Sequence, residues 1–371
     1  MRVGLAGLGK MGISHQAILN AHPQVELAAV CDTTGYVLDV MGKYTGVKTY
    51  SDYDKMLSLE ALEAVVIATP SSFHAGMVEK ALSRGLHVFC EKPFSLDVAA
   101  GERLAAQAEA AGLVNQVGYH YRFVAAFAHL KQLVEQGVLG RIHHIRAEAH
   151  GPVVLRSKGS SWRSAKSAGG GALYDYASHA VDLVNFCFGR PDFVGGAVVA
   201  PVFSSEVDDE VYATLGYGDG KSVQLSVNWS DDSQRKMSTR LTVWGSNGKI
   251  VADRQEIQLF LRDASLATGF QQGWNVRYTT ELTEPVDYYL RGEEYSAQID
   301  HFVASILAGD PATRSTFRSA AETDRVIEAI RSNAQHPRTT IDDGAAMREQ
   351  APARGTLARM LRGTRTTKGR R

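Results

Sequence analysis

Apolar and polar positions follow two rhythms along this chain. Up to about residue 118, short apolar runs alternate with helix-like stretches. The runs are Arg2 to Ala6, Val25 to Cys31, Ala64 to Ala68, Val88 to Cys90 and Val114 to Gly118. Between them, Ser14 to Ala21, a segment ending at Leu82, and about Leu96 to Ala111 read as helices, with Ser71 or Ser72 available to cap the second. Strands alternating with helices predict a doubly wound parallel sheet over about residues 1–120. Beyond Tyr119 the period changes. One helix, about Ala125 to Gln136, leads into Arg141 to His150, and from Phe193 to about Leu261 most segments alternate apolar with polar residues. Val211 to Tyr217, Ser222 to Asn228 and Met237 to Trp244 read as strands, with turn signals at Gly218-Asp219-Gly220 and Asn247-Gly248. Two helices, about Glu293 to Leu307 and Ser319 to Ser332, close the pattern. The expected fold class is α/β: an N-terminal Rossmann domain, then an α+β domain over 121–340 with a large, mostly antiparallel open sheet. Few helices remain to cover its second face, so that face is expected to join subunits into a homodimer or homotetramer.

The first turn carries chemistry. Arg2 to Ala6 runs into Gly7-Leu8-Gly9-Lys10-Met11-Gly12, a strand, glycine turn and helix in succession. In a G-x-G-x-x-G turn the glycines permit a tight bend, close approach of backbone to a pyrophosphate, and close helix packing, while the helix N-terminus offers free amides. The second strand ends at Asp32, whose carboxylate can accept both hydroxyls of an adenosine ribose. It would also repel a 2′-phosphate, and Thr33-Thr34-Gly35 brings no arginine, so NAD is favoured over NADP.

Two other stretches carry candidate catalytic groups. His87-Val88-Phe89-Cys90-Glu91-Lys92-Pro93 reads as a buried strand stopped by proline, which places Lys92 at a strand's carboxyl end. Gly169-Gly170-Gly171 lets backbone pass close to a ligand, and the helix after it puts Asp175, His179 and Asp182 on one face. A carboxylate beside an imidazole makes a proton acceptor: Asp175 can orient the ring while His179 takes a hydroxyl proton.

Composition narrows the class. A chain of 371 residues without a long apolar run, entering its first strand directly after Met1-Arg2, reads as cytoplasmic, with no integral membrane segment. Cys31, Cys90 and Cys187 are odd in number and far apart, which suits reduced core thiols; no metal site is indicated. Net charge is zero, yet residues 345–371 hold eight Arg/Lys against Glu349 alone. The preceding body is therefore acidic, which disfavours nucleic acid as a partner, and the basic tail is expected to be solvated.

Glu91-Lys92-Pro93 after a Rossmann half, followed by a glycine triplet with Asp175 and His179 four apart, resembles the Gfo/Idh/MocA oxidoreductases, the glucose–fructose oxidoreductase and inositol dehydrogenase group. The resemblance spans about residues 1 to 335. It implies that Lys92 contacts the reacting hydroxyl beside the nicotinamide and that Asp175 and His179 supply the proton acceptor. It also implies a cofactor site lined by Gly7, Gly9, Lys10, Met11, Asp32, Thr69, Pro70, His74, Glu91 and Lys92. Tyr119 and Arg122 keep a place at the substrate pocket. One departure stands out: His120-Tyr121-Arg122-Phe123 replaces the family's Asn-Arg-Arg-Phe.

Between Gly151 and Ala168 the chain carries Arg156, Lys158, Arg163 and Lys166 without an acid, and Trp162 among them. Trp162 and Arg163 are accordingly expected to bind substrate, a ring face with cations suiting a sugar that bears phosphate, nucleotide diphosphate or carboxylate. The expected reaction is NAD-dependent oxidation of a secondary alcohol on a pyranose, cyclitol or sugar nucleotide. The rivals are a redox-neutral glycosidase or epimerase that recycles NAD in place, and a cofactor-sensing regulator.

Overall fold

The computed structural model describes residues 1–155 and 165–335. Trp162, Arg163, Arg156, Lys158 and the basic tail lie outside the described residues. The first sheet contains β1 (Arg2–Ala6), β2 (Glu26–Cys31), β3 (Lys48–Tyr50), β4 (Ala64–Ile67), β5 (His87–Cys90) and β6 (Asn115–Val117). All are parallel, in the order β3-β2-β1-β4-β5-β6. Its helices are α1 (Lys10–Ala21), α2 (Gly35–Thr45), α3 (Tyr53–Leu59), α4 (His74–Leu82) and α5 (Val98–Ala110).

A parallel strand covered on both faces must be apolar throughout, and β4 is: all four residues are buried. Val65 and Ile67 face one helical layer with Val78, Leu82 and Leu104, while Ala64 and Val66 face the other with Ile18 and Leu19. Each fully buried valine, leucine or isoleucine contributes roughly 1.5–3 kcal/mol to holding those layers.

The second layer begins with α6 (Ala125–Glu135) and contains β7 (Ile142–His150), α7 (Ser178–Phe188), β8 (Phe193–Ala200), β9 (Glu210–Gly216), β10 (Ser222–Asn228), β11 (Ser238–Gly245), β12 (Gly248–Ala252), β13 (Glu256–Leu261) and β14 (Gly273–Tyr278). The eight strands run β14-β13-β12-β11-β7-β10-β9-β8, antiparallel except between β7 and β10. Alternation sorts their faces. Ile145, Ala147 and Ala149 of β7 are buried in the same core as Val181 and Val184 of α7, while Arg146 is exposed. On the edge strand β14, Trp274, Val276 and Tyr278 are also exposed.

The remaining helices are α8 (Thr279–Leu282), α9 (Glu293–Ala308) and α10 (Phe317–Gln335). The last two, expected with the second domain, also pack on the first, while Val326, Ile327 and Ile330 of α10 stay in the second layer's core. Ile299, Phe302 and Val303 of α9 share a core with Val3 and Leu5, and Phe317 stacks on Phe94 with centroids 4.3 Å apart. The expected serine cap is also absent. Ser71–Phe73 forms a 3₁₀ turn that runs directly into α4 without a side-chain cap.

Asp324 of α10 is buried, and its Oδ2 accepts the Ser95 amide at 3.0 Å. Among the described residues no lysine or arginine forms an ion pair with it. Burial pushes its carboxyl well above the ordinary range, and Asp182 adds to this against the Ser95 hydrogen bond. A carboxyl whose folded pKa exceeds its unfolded one binds its proton more tightly when folded. Stability is therefore lost as pH rises above the unfolded pKa toward the folded one. Asp324→Asn keeps an acceptor for Ser95 and removes that loss. The variant should unfold at higher urea than the parent at pH 7, with the gap closing near pH ~4. Equal or lower stability at pH 7 would contradict this account.

Candidate active site

The order reversal between β1 and β4 opens a crevice at the strands' carboxyl ends. Gly7, at φ 91°, lies so close to the Ala68–Thr69 backbone that a Cβ there would overlap it, and a Cβ on Gly12 would strike the Gly7 carbonyl. Above Gly9, by contrast, a Cβ would meet nothing within 4 Å, and no side chain caps the N-terminus of α1. An accessible glycine ahead of an uncapped helix fits a pyrophosphate. Lys10, Gly9 and the half-buried Met11 lie at this mouth. Asp32 ends β2 half-buried; its Oδ2 accepts the Leu8 amide at 2.6 Å and its Oδ1 the Thr34 amide at 2.8 Å. Those bonds fix the carboxylate beside the glycine turn, as ribose binding requires. Thr69 and Pro70 leave β4 at the same end, half-buried and exposed respectively. These residues fit NAD.

Two expected cofactor residues point inward instead. His74 is fully buried, with Nδ1 2.8 Å from the Pro93 carbonyl and Nε2 2.9 Å from that of Thr69. It ties the Thr69 loop to the loop after Lys92. Burial lowers its pKa, partly offset by those carbonyls. Glu91 is also buried, with Oε1 2.7 Å from His15 Nε2 and Oε2 accepting the Lys92 amide at 3.2 Å. Burial alone would raise its pKa, but the His15 hydrogen bond and the fields of His15, His120 and Lys92 outweigh it, and the carboxyl ionises more readily than usual. A Cβ on Gly118 would press on this carboxylate at 2.9 Å. His15 carried a sequence signal that pattern reading passes over: it lies one turn after the glycine loop, three and four residues before the buried Ile18 and Leu19.

Lys92 follows β5 and reaches the second layer. Its Nζ donates to Asp175 Oδ1 at 2.7 Å and to the Asp175 carbonyl at 3.1 Å. The lysine side chain is 12% exposed and that of Asp175 3%, so the pair is reached from the lysine's side. Asp175 belongs to a π-helical turn, Leu173–Ala177, that runs into α7. Such turns are rare and recur at functional sites. One residue into α7, His179 is buried among the rings of Tyr119, His120 and Tyr121, with centroids 6.1, 4.9 and 5.1 Å away. Lys92 and Asp175 thus meet directly, and His179 lies four residues beyond Asp175 on the same helical run.

His120, where the family motif has asparagine, stacks on Tyr295 at 4.6 Å. Burial lowers its pKa to about 3, with Arg254, Lys92 and Arg291 adding to this and Glu91 opposing it. It is a neutral ring at neutral pH. Tyr119 is fully buried and backs His179.

Arg122 and Asp182 require correction. Arg122, expected at the substrate pocket, donates from Nε and Nη2 to Asp182 at 2.9 and 2.5 Å and from Nη1 to the Arg314 carbonyl at 2.8 Å. Burial opposes its charge, but Asp182 outweighs burial and keeps the guanidinium protonated. A buried bidentate pair of this kind is internal to the fold. Asp182 is therefore spent on Arg122 rather than on a face shared with His179. The glycine triplet also differs from expectation: Gly169 packs on Leu96 and Ser71, and Gly171 on Asp208.

Residues 1–119 match the model for the oxidoreductase family, NAD-binding Rossmann fold, and residues 127–251 that for the GFO/IDH/MocA C-terminal domain. Myo-inositol 2-dehydrogenase of Thermotoga maritima is 26% identical over 328 residues, 84% of this chain and 90% of that protein. Levoglucosan dehydrogenase in complex with NADH superposes with a TM-score of 0.79 at 23% identity, covering 90% of this chain and 96% of that one. The WlbA dehydrogenase of Bordetella pertussis, in complex with NADH and UDP-GlcNAcA, gives 0.74 at 25% identity with the same coverage.

Removing the partner of a buried, hydrogen-bonded carboxylate leaves that group unsatisfied, at a cost of roughly 1–3 kcal/mol or more. His15→Phe should lose that much in urea unfolding, and adding Glu91→Met should restore most of it, a coupling readable in a double-mutant cycle. Additive losses would show that the two side chains do not depend on each other.

Proposed function

Since the chain belongs to the Gfo/Idh/MocA oxidoreductase family and is an NAD-dependent dehydrogenase, we propose that it oxidises a secondary alcohol of a pyranose, cyclitol or sugar nucleotide to the ketone. The observation that carries this reading is the contact of Lys92, at the carboxyl end of β5, with Asp175, four residues ahead of His179 on the same helical run. NAD, when bound, supplies the hydride acceptor. The glycine turn and the α1 N-terminus would hold its pyrophosphate and Asp32 its adenosine ribose.

Around that acceptor the chain's own groups manage the alcohol. Lys92 Nζ, partly accessible, donates a hydrogen bond to the carbinol oxygen. His179 takes the hydroxyl proton as the C–H electron pair departs, leaving a ketone. Asp175 holds the ammonium in place and offsets its charge. The rings of Tyr119, His120 and Tyr121 exclude water from the imidazole, which strengthens each of these interactions. The inositol, levoglucosan and sugar-nucleotide chemistry of the relatives supports a polyhydroxylated ring as substrate. The open face of the second sheet, with exposed Trp274, Val276 and Tyr278 at its edge, supports a homodimer or homotetramer through that face. No described helix is long and apolar enough to cross a membrane.

A panel of sugars, cyclitols and sugar nucleotides, followed by NADH absorbance, tests the reaction. Net NADH release with at least one member is expected; conversion of a sugar without net NADH would favour the redox-neutral class. With a substrate in hand, Lys92→Ala should lower kcat about a hundredfold or more while leaving NAD affinity nearly unchanged. Retained turnover would remove Lys92 from the chemistry. Asp32→Ser should weaken NAD and narrow the preference over NADP. Selectivity identical to the parent's would place ribose recognition elsewhere.

A further inference from the structure

The helix that carries Asp175 and His179 begins in an unusual way. Gly171, at φ 113°, is followed by Ala172 and Leu173, whose amides head the π-helical turn and have no earlier turn to bond to. Both are taken by one residue from a distant part of the chain. The Asp208 carbonyl accepts the Ala172 amide at 2.8 Å, and Asp208 Oδ2 accepts the Leu173 amide at 2.7 Å. The other carboxylate oxygen occupies the place where a Cβ of residue 171 would stand. The third glycine of the triplet is thus explained by a protein carboxylate rather than by a ligand.

Asp208 is itself held rigidly. It precedes β9 in the connection from β8, and the next residue, Asp209, is fully buried. The Asp209 carboxylate accepts the amides of Val202 and Phe203, each at 2.7 Å, and that of Ser204, while its carbonyl accepts the Trp229 amide at 2.9 Å. One aspartate locks the loop, and the other projects from it to the start of the catalytic turn. Two residues beyond Leu173, Asp175 donates its backbone amide to the Gly171 carbonyl at 3.1 Å and presents its carboxylate to Lys92. The register of the turn therefore decides whether that carboxylate meets the lysine.

We propose that Asp208 is a positioning residue for the active site: by gripping the first two amides of the turn it sets the register that brings Asp175 onto Lys92. An ordinary helix cap would act differently. Its loss would lower stability and leave the ion pair formed. The proposal rests on the reading that Lys92, Asp175 and His179 form the site, and its test needs no substrate.

The full-length, NAD-free protein is labelled with N-hydroxysuccinimidyl acetate, and the acetylation rate of Lys92 relative to the exposed Lys55 is read by mass spectrometry. An ammonium released from its carboxylate is acylated faster. Asp175→Asn sets the rate of the unpaired lysine. Asp208→Ala, and Asp208→Glu, which keeps the charge but is too long for the slot, should raise the Lys92 rate several-fold, toward that of Asp175→Asn. Asp208→Asn, which keeps an acceptor of the same length, should stay at the parent's rate. Circular dichroism confirms that each variant is folded. Parental Lys92 labelling in folded Asp208→Ala or Asp208→Glu would overturn the proposal, as would Asp208→Asn matching Asp208→Ala. An unchanged Lys92 rate in Asp175→Asn would overturn the pairing itself, and with it the reading on which the clamp depends.

Discussion

The ion pair between Lys92 and Asp175 joins the end of β5 to the π-helical turn that leads into α7. It is costly to assemble, because both groups leave most of their water behind, and it persists only where geometry is good and neighbouring bonds complete it. That requirement accounts for much around it. Lys92 gives a second hydrogen bond to the Asp175 carbonyl, so the ammonium is held at two points. Behind the lysine, Glu91 accepts its backbone amide and is braced by His15. Behind the aspartate stands the Asp208 grip. His74 ties the loop after Lys92 to the loop after β4, and α10 reaches the same loop through Asp324 and Ser95. The pair is thus supported by side chains from both sheets and from the last helix.

On the proposed reading, this arrangement puts acid–base groups beside a cofactor crevice. The crevice follows from strand order alone, since β1 and β4 diverge into loops that leave a gap. The second sheet follows from alternation, and its covered face presses α7 toward the crevice. Neither half is a complete site. On the proposed reading, one supplies the lysine and the cradle for a dinucleotide, and the other the imidazole and the carboxylate that holds the lysine.

Much of this was legible in the chain. Continuous apolar runs such as Ala64–Ile67 announce strands covered on both faces, and the alternation of β9 to β11 announces strands covered on one. Gly7, Gly9, Asp32, Lys92, Asp175 and His179 stand out as candidates because each combines a residue type with a position that chemistry demands. Other features left no local trace. Three-residue β3, half-exposed and polar, has no hydrophobic signature. The packing of α9 and of the start of α10 on the first domain is a long-range choice, invisible in their amphipathic pattern. Arg122 looked like a substrate contact because the sequence cannot show Asp182 waiting sixty residues away. The glycine triplet looked like a ligand cradle for the same reason: the group that fills the space beside Gly171 comes from residue 208.

A crystal structure of the complex with NAD would decide where the nicotinamide lies. The ring should lie at the end of β5, its C4 facing a gap bounded by Lys92 Nζ and the His179 ring. A ring bound away from that gap, with the lysine and the imidazole both remote from C4, would contradict the proposed reading.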